Sequence, residues 1–459
     1  MALPLMDYQI YGSQCLAARN RFGLHDEMGI GKTATTIGAI DLLNAERGVV
    51  ICPAMLRENW IGEFRKFSDR PRRIVKAMNI HDYTAWKRGR FHIMVASYEM
   101  ATKWAKDMER QGECIDFVAM DEAHYLKNSR ANRTSALLGP DLDGWQGLIS
   151  WAKHSWHITG TPMANDPLDI YTFLRMCFAL DMSEEAFIKR YFFKHRTTYG
   201  SRQEPRPEMV PELKALIENN SLRRTKREVQ PQLPPIFLTS TLVDGDTEQL
   251  VQFLREYPHL DAAIILALEQ GGLSFLDAQH IATLRRLIGE AKAPGYAQMV
   301  VDELRQSYEK RVIYGLHRDA MTMIRDELMR NGIGAVLVNG DTSEAQRKYA
   351  VEAFQGDAAC RVFLGQIRAA GVGITLTAAC EIDIFESDWS PAGNAQAIMR
   401  VHRIGQARKV RARFITLART LDEVVNRIVA AKTAAIAQIE GEAMHAAPLD
   451  VLNEYLVTS

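Results

Sequence analysis

The 459-residue chain is 47% hydrophobic and 24% charged, and its 56 basic and 56 acidic side chains leave no formal net charge. This length predicts about three domains, the composition is that of an ordinary globular protein, and the balanced charge does not indicate a nucleic-acid partner. No run of about 18 apolar residues predicts a membrane span. The first residues do not resemble a signal peptide, and the six cysteines form no Cys-x-x-Cys pair. We therefore expect reduced thiols in a cytoplasmic protein, without a zinc or disulfide site.

The first third of the chain alternates short apolar runs with helix-length segments, which is typical of a parallel α/β sheet. The strands predicted there cover residues 48–53, 92–97, 115–121 and 155–159.

A glycine-rich turn, residues 29–33 (Gly-Ile-Gly-Lys-Thr), comes directly before a helix predicted over residues 33–44. Such a turn presents backbone N–H groups and the positive end of the helix dipole to phosphate oxygens. In loops of this kind the lysine reaches the β and γ phosphates, and the hydroxyl of the next residue binds Mg²⁺. Lys32 and Thr33 are the candidates for these two roles. The general pattern has glycine six residues before the lysine, where this chain has Asp26.

The strand over residues 115–121 is predicted to end at the sequence Asp121-Glu122-Ala123-His124. Ligands of open α/β sheets bind at the carboxyl ends of strands. Asp121 is therefore expected to hold Mg²⁺, and Glu122 to orient or deprotonate the attacking water. The alternative is a charged surface turn. Together the glycine-rich turn and this acidic strand end predict a nucleoside triphosphatase.

The rest of the chain contains a proline-rich boundary at residues 230–235, because two consecutive prolines cannot continue a helix. Further strands are predicted near residues 310–316, 334–338, 361–365, 380–385 and 411–417, and an amphipathic helix that packs on the core over residues 420–440. The expected domains are a first lobe (1–165), a helical insertion and hinge (166–235), a helical insertion of the second lobe (236–305), the second lobe (306–430) and a helical tail (431–459).

Several more segments match the motifs of one protein family, and they occur along the chain in the same order as in that family. Residues 26–33 read Asp-Glu-Met-Gly-Ile-Gly-Lys-Thr, and residues 396–406 read Gln-Ala-Ile-Met-Arg-Val-His-Arg-Ile-Gly-Gln. The other matching segments are residues 8–9, 50–60, 95–99, 157–162, 222–226, 233–235, 311–314, 339–347, 370–379 and 388–391. The chain resembles the Swi/Snf-type family of superfamily-two DNA helicases and translocases, in which the acidic residue at position 26 is a family feature. Thr375 and Gly365 depart from the pattern, which leaves the details of coupling open.

The resemblance implies an α/β fold with two RecA-like lobes, each a parallel sheet flanked by helices, and helical insertions between them. It implies ATP and Mg²⁺ as cofactors, with Thr33 and Asp121 at the metal. The implied nucleotide-binding residues are Gln9, Met28, Gly29, Ile30, Gly31, Lys32, Thr33, Ala34, Asp121, Gly373, Gln396, Arg400 and Arg403. The implied catalytic residues are Lys32, Glu122, Arg400 and Arg403. The two arginines, three apart on one predicted helical face, resemble arginine fingers; the alternative is a phosphate or salt-bridge contact.

The implied activity is DNA-dependent ATP hydrolysis by a translocase that tracks along or remodels double-stranded or forked DNA. The expected protein is a monomeric motor without accessory modules. We expect it in a bacterial cytosol or a phage-infected cell, in contact with the DNA backbone and with no membrane partner. A strand-separating DNA or RNA helicase and a non-hydrolysing DNA-binding scaffold are the alternatives.

The resemblance also implies DNA contacts at Pro53, Ala54, Ser97, Asn339, Gly340, Thr375 and Trp389, although Trp389 is equally well a core aromatic residue. His124, Thr159, Thr161 and Gln396 are expected to couple ATP hydrolysis to DNA, or else to satisfy buried hydrogen bonds. Basic clusters at residues 65–73, 223–227 and 400–419 favour contact with phosphates. The alternative for such clusters is a solvated face.

Overall fold

Two parallel sheets organise the chain in a computed structural model, which describes residues 2–109, 114–139, 147–164, 166–197, 200–257, 275–367, 374–403, 405–427 and 429–430. The first sheet belongs to unit 1, formed by Met1–Phe192 and Pro205–Pro231. The second belongs to unit 2, formed by Phe193–Glu204 and the chain from Gln232 onward. The predicted α/β class with two lobes of parallel strands is confirmed. Within the described ranges, no helix has the length and apolar character needed to span a membrane.

The first sheet has seven strands. In chain order, the strands up to residue 222 are β1 (Arg21–Leu24), β2 (Gly48–Cys52), β3 (Ile74–Lys76), β4 (Ile93–Ser97), β5 (Ile115–Asp121), β6 (Ala152–Ile158), β7 (Phe192–Thr197), β8 (Gly200–Pro205) and β9 (Ser221–Leu222). The sheet order is β3-β4-β2-β5-β6-β1-β9, with parallel pairing throughout, and β7 and β8 form a separate hairpin. Strands β2 and β4 are buried along their whole length, as expected where helices cover both faces of a sheet.

Helices surround the first sheet. They are α1 (Asp7–Ala17), α2 (Lys32–Leu42), α3 (Arg57–Phe67), α4 (Ile80–Lys87), α5 (Tyr98–Glu109), α6 (Asn132–Leu138), α7 (Tyr171–Met176), α8 (Glu184–Tyr191), α9 (Val210–Asn220) and α10 (Lys226–Val229). Local capping sets several of their starts. The side chain of Asn79 accepts hydrogen bonds from the first turn of α4, and Thr225 does the same for α10.

The second sheet has six parallel strands in the order β10-β15-β14-β11-β13-β12. They are β10 (Ile236–Val243), β11 (Arg311–Gly315), β12 (Gly334–Val338), β13 (Cys360–Gln366), β14 (Glu381–Ile384) and β15 (Val410–Leu417). Among the described residues, this unit contains the helices α11 (Glu248–Glu256), α12 (Phe275–Arg305), α13 (Arg318–Arg330), α14 (Glu344–Gly356) and α15 (Pro391–Ile398), and residues 421–427 are also helical.

All strands predicted from the sequence are present, but the limits of the predicted segments differ from the structure. Residues 236–243, assigned to a helical insertion, form β10, which pairs with β15 along its whole length. The reason is the alternation of partly buried and exposed residues that suits an edge strand. Helix α12 also belongs to the core of unit 2, where Tyr296 and Val300 are fully buried. The predicted tail over residues 431–459 lies outside the described residues.

Candidate nucleotide-binding site

Four loops meet at one edge of the first sheet. Strands β5, β6, β1 and β9 are neighbours in the sheet and run parallel. Their carboxyl ends therefore lie side by side, and the residues that follow each strand are brought together. These are the loop of residues 25–31 after β1, Glu122 after β5, Thr159 after β6 and Arg223 after β9. The DNA-contact candidates Pro53, Ala54 and Ser97 lie at the ends of β2 and β4, along the same edge.

The loop of residues 25–31 depends on glycine for its shape. Gly29 and Gly31 both have a φ of 88°, which side-chain-bearing residues rarely adopt. A Cβ atom on Gly31 would lie 2.3 Å from Nε2 of Gln9, so a side chain at this position would displace the Gln9 amide. Because Gly31 has no side chain to cap α2, the N–H groups of the first turn are left for another acceptor. This helix start is suited to an anion.

Lys32 turns its side chain back over the loop. Its Nζ donates hydrogen bonds to the backbone carbonyls of Asp26, at 2.8 Å, and Glu27, at 3.2 Å. Burial lowers the pKa of Lys32, an effect that the nearby carboxylates of Glu122, Asp26 and Asp121 oppose. The loop and the acidic end of β5 are therefore close enough to interact electrostatically. Met28 and Thr33 are partly buried beside Lys32, and Ala34 is buried in α2.

Asp121 ends β5 with both carboxylate oxygens engaged. Its Oδ2 accepts a hydrogen bond from Nε1 of Trp60 at 2.7 Å, and its Oδ1 accepts one from the backbone N–H of Glu122 at 2.9 Å. Burial, followed by repulsion from Glu122, raises the pKa of Asp121 to about 7. Trp60 was not predicted as a site residue, although it lies in the matched segment 50–60, which carried the signal.

Glu122 has an unusual backbone. Its φ of 51° lies in the left-handed region, which costs a residue with a side chain about 1–2 kcal/mol. Strain of this kind persists only where the surrounding structure enforces it, and it is common at functional sites. Glu122 comes directly before a short helical turn, Ala123–Leu126.

His124 links the ends of β5 and β6. Its Nδ1 lies 3.3 Å from Oγ1 of Thr159 and 3.3 Å from Oε2 of Glu122. Thr159 Oγ1 also accepts a hydrogen bond from the N–H of Thr161 at 3.1 Å. Burial, followed by repulsion from Lys127, lowers the pKa of His124 to about 4, so the ring is neutral at pH 7. The structure thus brings together three of the four residues expected to couple hydrolysis to DNA, while the coupling itself stays a prediction.

Helix α1 is fastened to the same loop. The buried side chain of Gln9 donates through Nε2 to the carbonyl of Ile30 at 3.3 Å and accepts through Oε1 from the N–H of Met6 at 3.0 Å. The hydroxyl of Tyr8 donates to the carbonyl of Ile30 at 2.8 Å. Gln9 therefore supports the loop in this structure, and its contact with adenine stays a prediction.

Arg400 and Arg403 lie in unit 2, after a helix and not on it. The prediction of one shared helical face is wrong, because α15 ends at Ile398 and the chain then forms a turn. The carbonyl of Arg400 accepts a hydrogen bond from the N–H of Leu376 at 2.9 Å, and the guanidinium of Arg403 donates to the carbonyl of Ile374 at 3.2 Å. Both arginines are thus hydrogen-bonded to the segment of residues 374–376. Gln396 lies within α15, and Gly373 lies outside the described residues.

Several basic residues of the predicted DNA-facing clusters are buried in ion pairs. Arg72 pairs with Asp41, Arg224 with Asp26, and Arg413 with both Asp383 and Glu303. The side chains of these three arginines are 4%, 12% and 11% exposed. In this structure these three guanidinium groups are paired with acidic residues distant in sequence, which the runs of basic residues did not reveal, and the DNA contact of the clusters stays a prediction.

Trp389 is better explained as a packing residue than as a DNA contact. It packs against a cluster that contains Leu284 and Leu421, and the guanidinium of Arg285 lies 4.6 Å from the centre of its ring. Asn339 and Gly340 do lie at a carboxyl edge, after β12 in unit 2, where the N–H of Gly340 donates to Gln366.

Comparison with known proteins finds two family models and several relatives that match this chain. Residues 8–294 match a family model described as the SNF2-related domain, and residues 295–405 match one described as the helicase conserved C-terminal domain. A Drosophila melanogaster protein, "SWI/SNF-related matrix-associated actin-dependent regulator of chromatin subfamily A-like protein 1", is 29% identical over 437 residues, which cover 93% of this chain and 54% of the relative. Human "DNA annealing helicase and endonuclease ZRANB3" is 26% identical over 431 residues, which cover 92% of this chain and 39% of the relative. The chain thus spans about half the length of these relatives, or less.

Among solved structures, the chain is similar to a "Sulfolobus solfataricus SWI2/SNF2 ATPase core in complex with dsDNA". The match has 21% sequence identity and a TM-score of 0.44, and it covers 96% of this chain and 93% of that one.

Proposed function

The chain belongs to the family defined by the SNF2-related domain, and we propose that it is a DNA-dependent ATPase that tracks along or remodels double-stranded or forked DNA. One observation carries the proposal. Within unit 1, a glycine-shaped loop at the start of α2 holds Lys32 within electrostatic reach of Asp121 and Glu122. This is the arrangement that binds and hydrolyses a nucleoside triphosphate.

The residues present fit an ATP–Mg²⁺ complex. The hydroxyl of Thr33 and the carboxylate of Asp121 are oxygen donors of the kind that Mg²⁺ prefers. Trp60 and the N–H of Glu122 hold the Asp121 carboxylate at the end of β5, and a nearby divalent cation would oppose the burial and the repulsion from Glu122 that raise the pKa of this group. When bound, Mg²⁺ supplies positive charge that neutralises the β and γ phosphates.

The side chains of the chain have distinct parts in hydrolysis. Lys32 binds the β and γ phosphates, and the N–H groups at the start of α2 bind phosphate oxygens. Glu122 orients the attacking water and accepts its proton, while His124 holds the Glu122 carboxylate in place. For Arg400 and Arg403 of unit 2, the family resemblance implies neutralisation of charge on a transferred phosphoryl group, a role that contributes roughly three to five powers of ten where it has been measured.

Duplex DNA is the proposed partner. The Drosophila relative is named as a regulator of chromatin and the human relative as a DNA annealing helicase, and both names fit a motor that acts on double-stranded DNA. Contacts with the phosphate backbone carry no sequence information, so binding would tolerate any sequence and weaken as salt increases.

Steady-state ATP hydrolysis by the wild type and by Glu122→Gln tests the proposal. Each protein is assayed alone and with single-stranded, duplex or forked DNA, or with RNA. We expect strong stimulation of the wild type by duplex or forked DNA and loss of turnover in the variant. Stimulation by single strands or RNA alone would instead support a strand-separating helicase. Phosphate release that no nucleic acid changes would contradict a DNA motor.

A further inference from the structure

Residues 222–230, named here the clasp segment, lie against the nucleotide-binding loop. We propose that this segment positions the loop for phosphate binding, with Arg224 as the central positioning residue. The inference rests on the proposed nucleotide function and adds a part to the site that the phosphate-loop and DEAH motifs do not contain.

The backbone of the clasp segment continues the sheet alongside the loop. The N–H of His25 donates to the carbonyl of Leu222 at 2.8 Å, and the N–H of Glu27 donates to the carbonyl of Arg224 at 2.9 Å. The guanidinium of Arg223 donates to the carbonyl of His25 at 3.1 Å. The parallel pairing of β1 with β9 therefore extends past both strands into residues 25–27.

Arg224 neutralises a buried carboxylate in the loop. Asp26 is 1% exposed, and Arg224 donates from Nε to its Oδ1 at 3.0 Å and from a terminal nitrogen to its Oδ2 at 2.5 Å. The other terminal nitrogen of Arg224 donates to the carbonyl of Tyr8. Such a two-point pair is geometrically specific. It also explains how the loop accommodates an aspartate at the position where the general phosphate-loop pattern has glycine.

Further contacts hold both sides of the loop. The N–H of Lys226 donates to Oε2 of Glu27 at 2.7 Å, and its Nζ lies 3.7 Å from Oε1. On the other side, Nε2 of Gln230 donates to the hydroxyl of Tyr8 at 3.2 Å, and this hydroxyl in turn donates to the carbonyl of Ile30. One segment thus restrains the loop at residues 26–27 and at residue 30.

These contacts bear on the phosphate-binding lysine itself. Nζ of Lys32 is oriented by its hydrogen bonds to the backbone carbonyls of Asp26 and Glu27. The side chains of these two acidic residues are in turn held by Arg224 and Lys226. Loss of the clasp would release those carbonyls and with them the position of the Lys32 amino group. Arg224 therefore acts on phosphate through the loop and does not itself touch it.

The test compares Arg224→Gln, Arg224→Lys, Asp26→Asn and the double variant Asp26→Asn/Arg224→Gln with the wild type. Affinity is measured by titration with ADP that carries a fluorescent N-methylanthraniloyl group, and stability by thermal unfolding without nucleotide. Arg224→Gln should weaken affinity about ten-fold, the equivalent of about 1.4 kcal/mol. Arg224→Lys should recover part of the loss, and the double variant should be no worse than the poorer single variant.

Arg72→Gln is the matched control, because Arg72 also forms a buried ion pair in unit 1, with Asp41. It should lower the unfolding temperature as Arg224→Gln does, yet leave nucleotide affinity unchanged. Tyr8→Phe removes only the hydroxyl contacts and provides a mild variant should Arg224→Gln fail to fold; its affinity should fall by a smaller factor.

Unchanged affinity in a folded Arg224→Gln protein, or in Tyr8→Phe where Arg224→Gln does not fold, would overturn the inference, as would an equal loss of affinity in Arg72→Gln. Failure of the wild type to bind the fluorescent ADP would overturn the proposed nucleotide function instead. These two failures are distinguishable because the first requires normal binding by the wild type.

Discussion

Lys32 lies at the start of α2 and Glu122 directly after β5, and substitutions of these two residues should separate nucleotide binding from hydrolysis. Lys32→Ala removes the cation that reaches the β and γ phosphates, so ATP affinity and turnover should both be lost. Glu122→Gln keeps the shape of the side chain but cannot accept a proton, so ATP should bind normally while turnover falls about 100-fold or more. Equilibrium binding of ATP and single-turnover hydrolysis measure the two effects separately.

The matched control for this comparison is Glu212→Gln, which alters an exposed ion pair with Arg190 in the same unit. Its binding and turnover should equal those of the wild type. Near-normal turnover by Glu122→Gln would remove Glu122 from its assigned role, whatever the behaviour of Lys32→Ala.

Trp60 provides a test of the metal assignment. Trp60→Phe removes the hydrogen bond to Oδ2 of Asp121 but keeps most of the buried ring. We expect a loss of stability of about 1 kcal/mol. Because the carboxylate that is proposed to hold Mg²⁺ is then less well oriented, the Mg²⁺ concentration for half-maximal ATPase activity should rise several-fold, as with other losses of a metal ligand's support.

Trp86 offers a control for that variant, since it is also buried and donates a hydrogen bond to the carbonyl of His92, in a different part of unit 1. Trp86→Phe should cost similar stability without a change in the Mg²⁺ requirement. An unchanged Mg²⁺ requirement in both variants would argue against Asp121 as a metal ligand that depends on Trp60.

Short motifs named Lys32 and Glu122 as candidates, whereas the side chains that hold the loop and Asp121 were not singled out. Lys32 and Glu122 follow from local sequence because their chemistry requires a glycine-rich turn and a strand end. The partner of Asp26 lies 198 residues away, and the donor to Asp121 lies 61 residues away. Only folding of the sheet brings these pairs together, so periodicity and composition carry no trace of them.

At the scale of the element, α12 is joined to β14 and β15 by a buried ionic network. Glu303 on α12 accepts hydrogen bonds from Arg413 and Arg311, and Arg413 also binds Asp383. Burial alone would raise the pKa of Glu303, but the two arginines outweigh it and lower the pKa to about 2. The network therefore stabilises the fold while Glu303 is ionised.

The expected pH dependence follows from that lowered pKa. The stabilising contribution of Glu303 is present above its ordinary pKa and is lost as the pH falls towards 2. Glu303→Gln should thus lower the free energy of unfolding at pH 7 by on the order of 1 kcal/mol, after allowance for a side chain that is 35% exposed. The difference from the wild type should shrink below about pH 4.

Denaturant unfolding at several pH values measures this difference. Glu352→Gln serves as the control, because its pair with Lys348 on α14 is exposed and 3.9 Å long. A destabilisation by Glu303→Gln that is the same at every pH would show that lost packing, and not charge, explains its effect.

The elements themselves were predicted unequally for physical reasons. Strands such as β2 and β4 are covered on both faces, so their sequences are continuous apolar runs that are easily recognised. Three edge strands, β3, β9 and β10, were missed, although the edge strand β12 was predicted. Strand β3 has only three residues, β9 only two, and β10 places Thr239, Ser240 and Thr241 in its middle.

At the scale of the whole molecule, several residues of the basic clusters form ion pairs with acidic residues elsewhere in the chain. A cluster in sequence is therefore a poor guide to the surface that meets DNA. Arg72 and Arg70 illustrate the difference, since Arg72 is buried against Asp41 whereas Arg70 is exposed.

This contrast predicts the salt dependence of DNA binding. The logarithm of affinity for duplex DNA should fall linearly with the logarithm of salt concentration, and each phosphate contact contributes about 0.9 to the slope. Arg72→Gln should lower the unfolding temperature and leave that slope unchanged, because its guanidinium is committed to Asp41. Arg70→Gln leaves stability unchanged, and it reduces the slope by about one if its side chain contacts a phosphate. Fluorescence anisotropy with a labelled duplex at several salt concentrations measures both slopes. A reduced slope in a folded Arg72→Gln protein would mean that this ion pair opens to bind DNA and that burial does not exclude a basic residue from the interface.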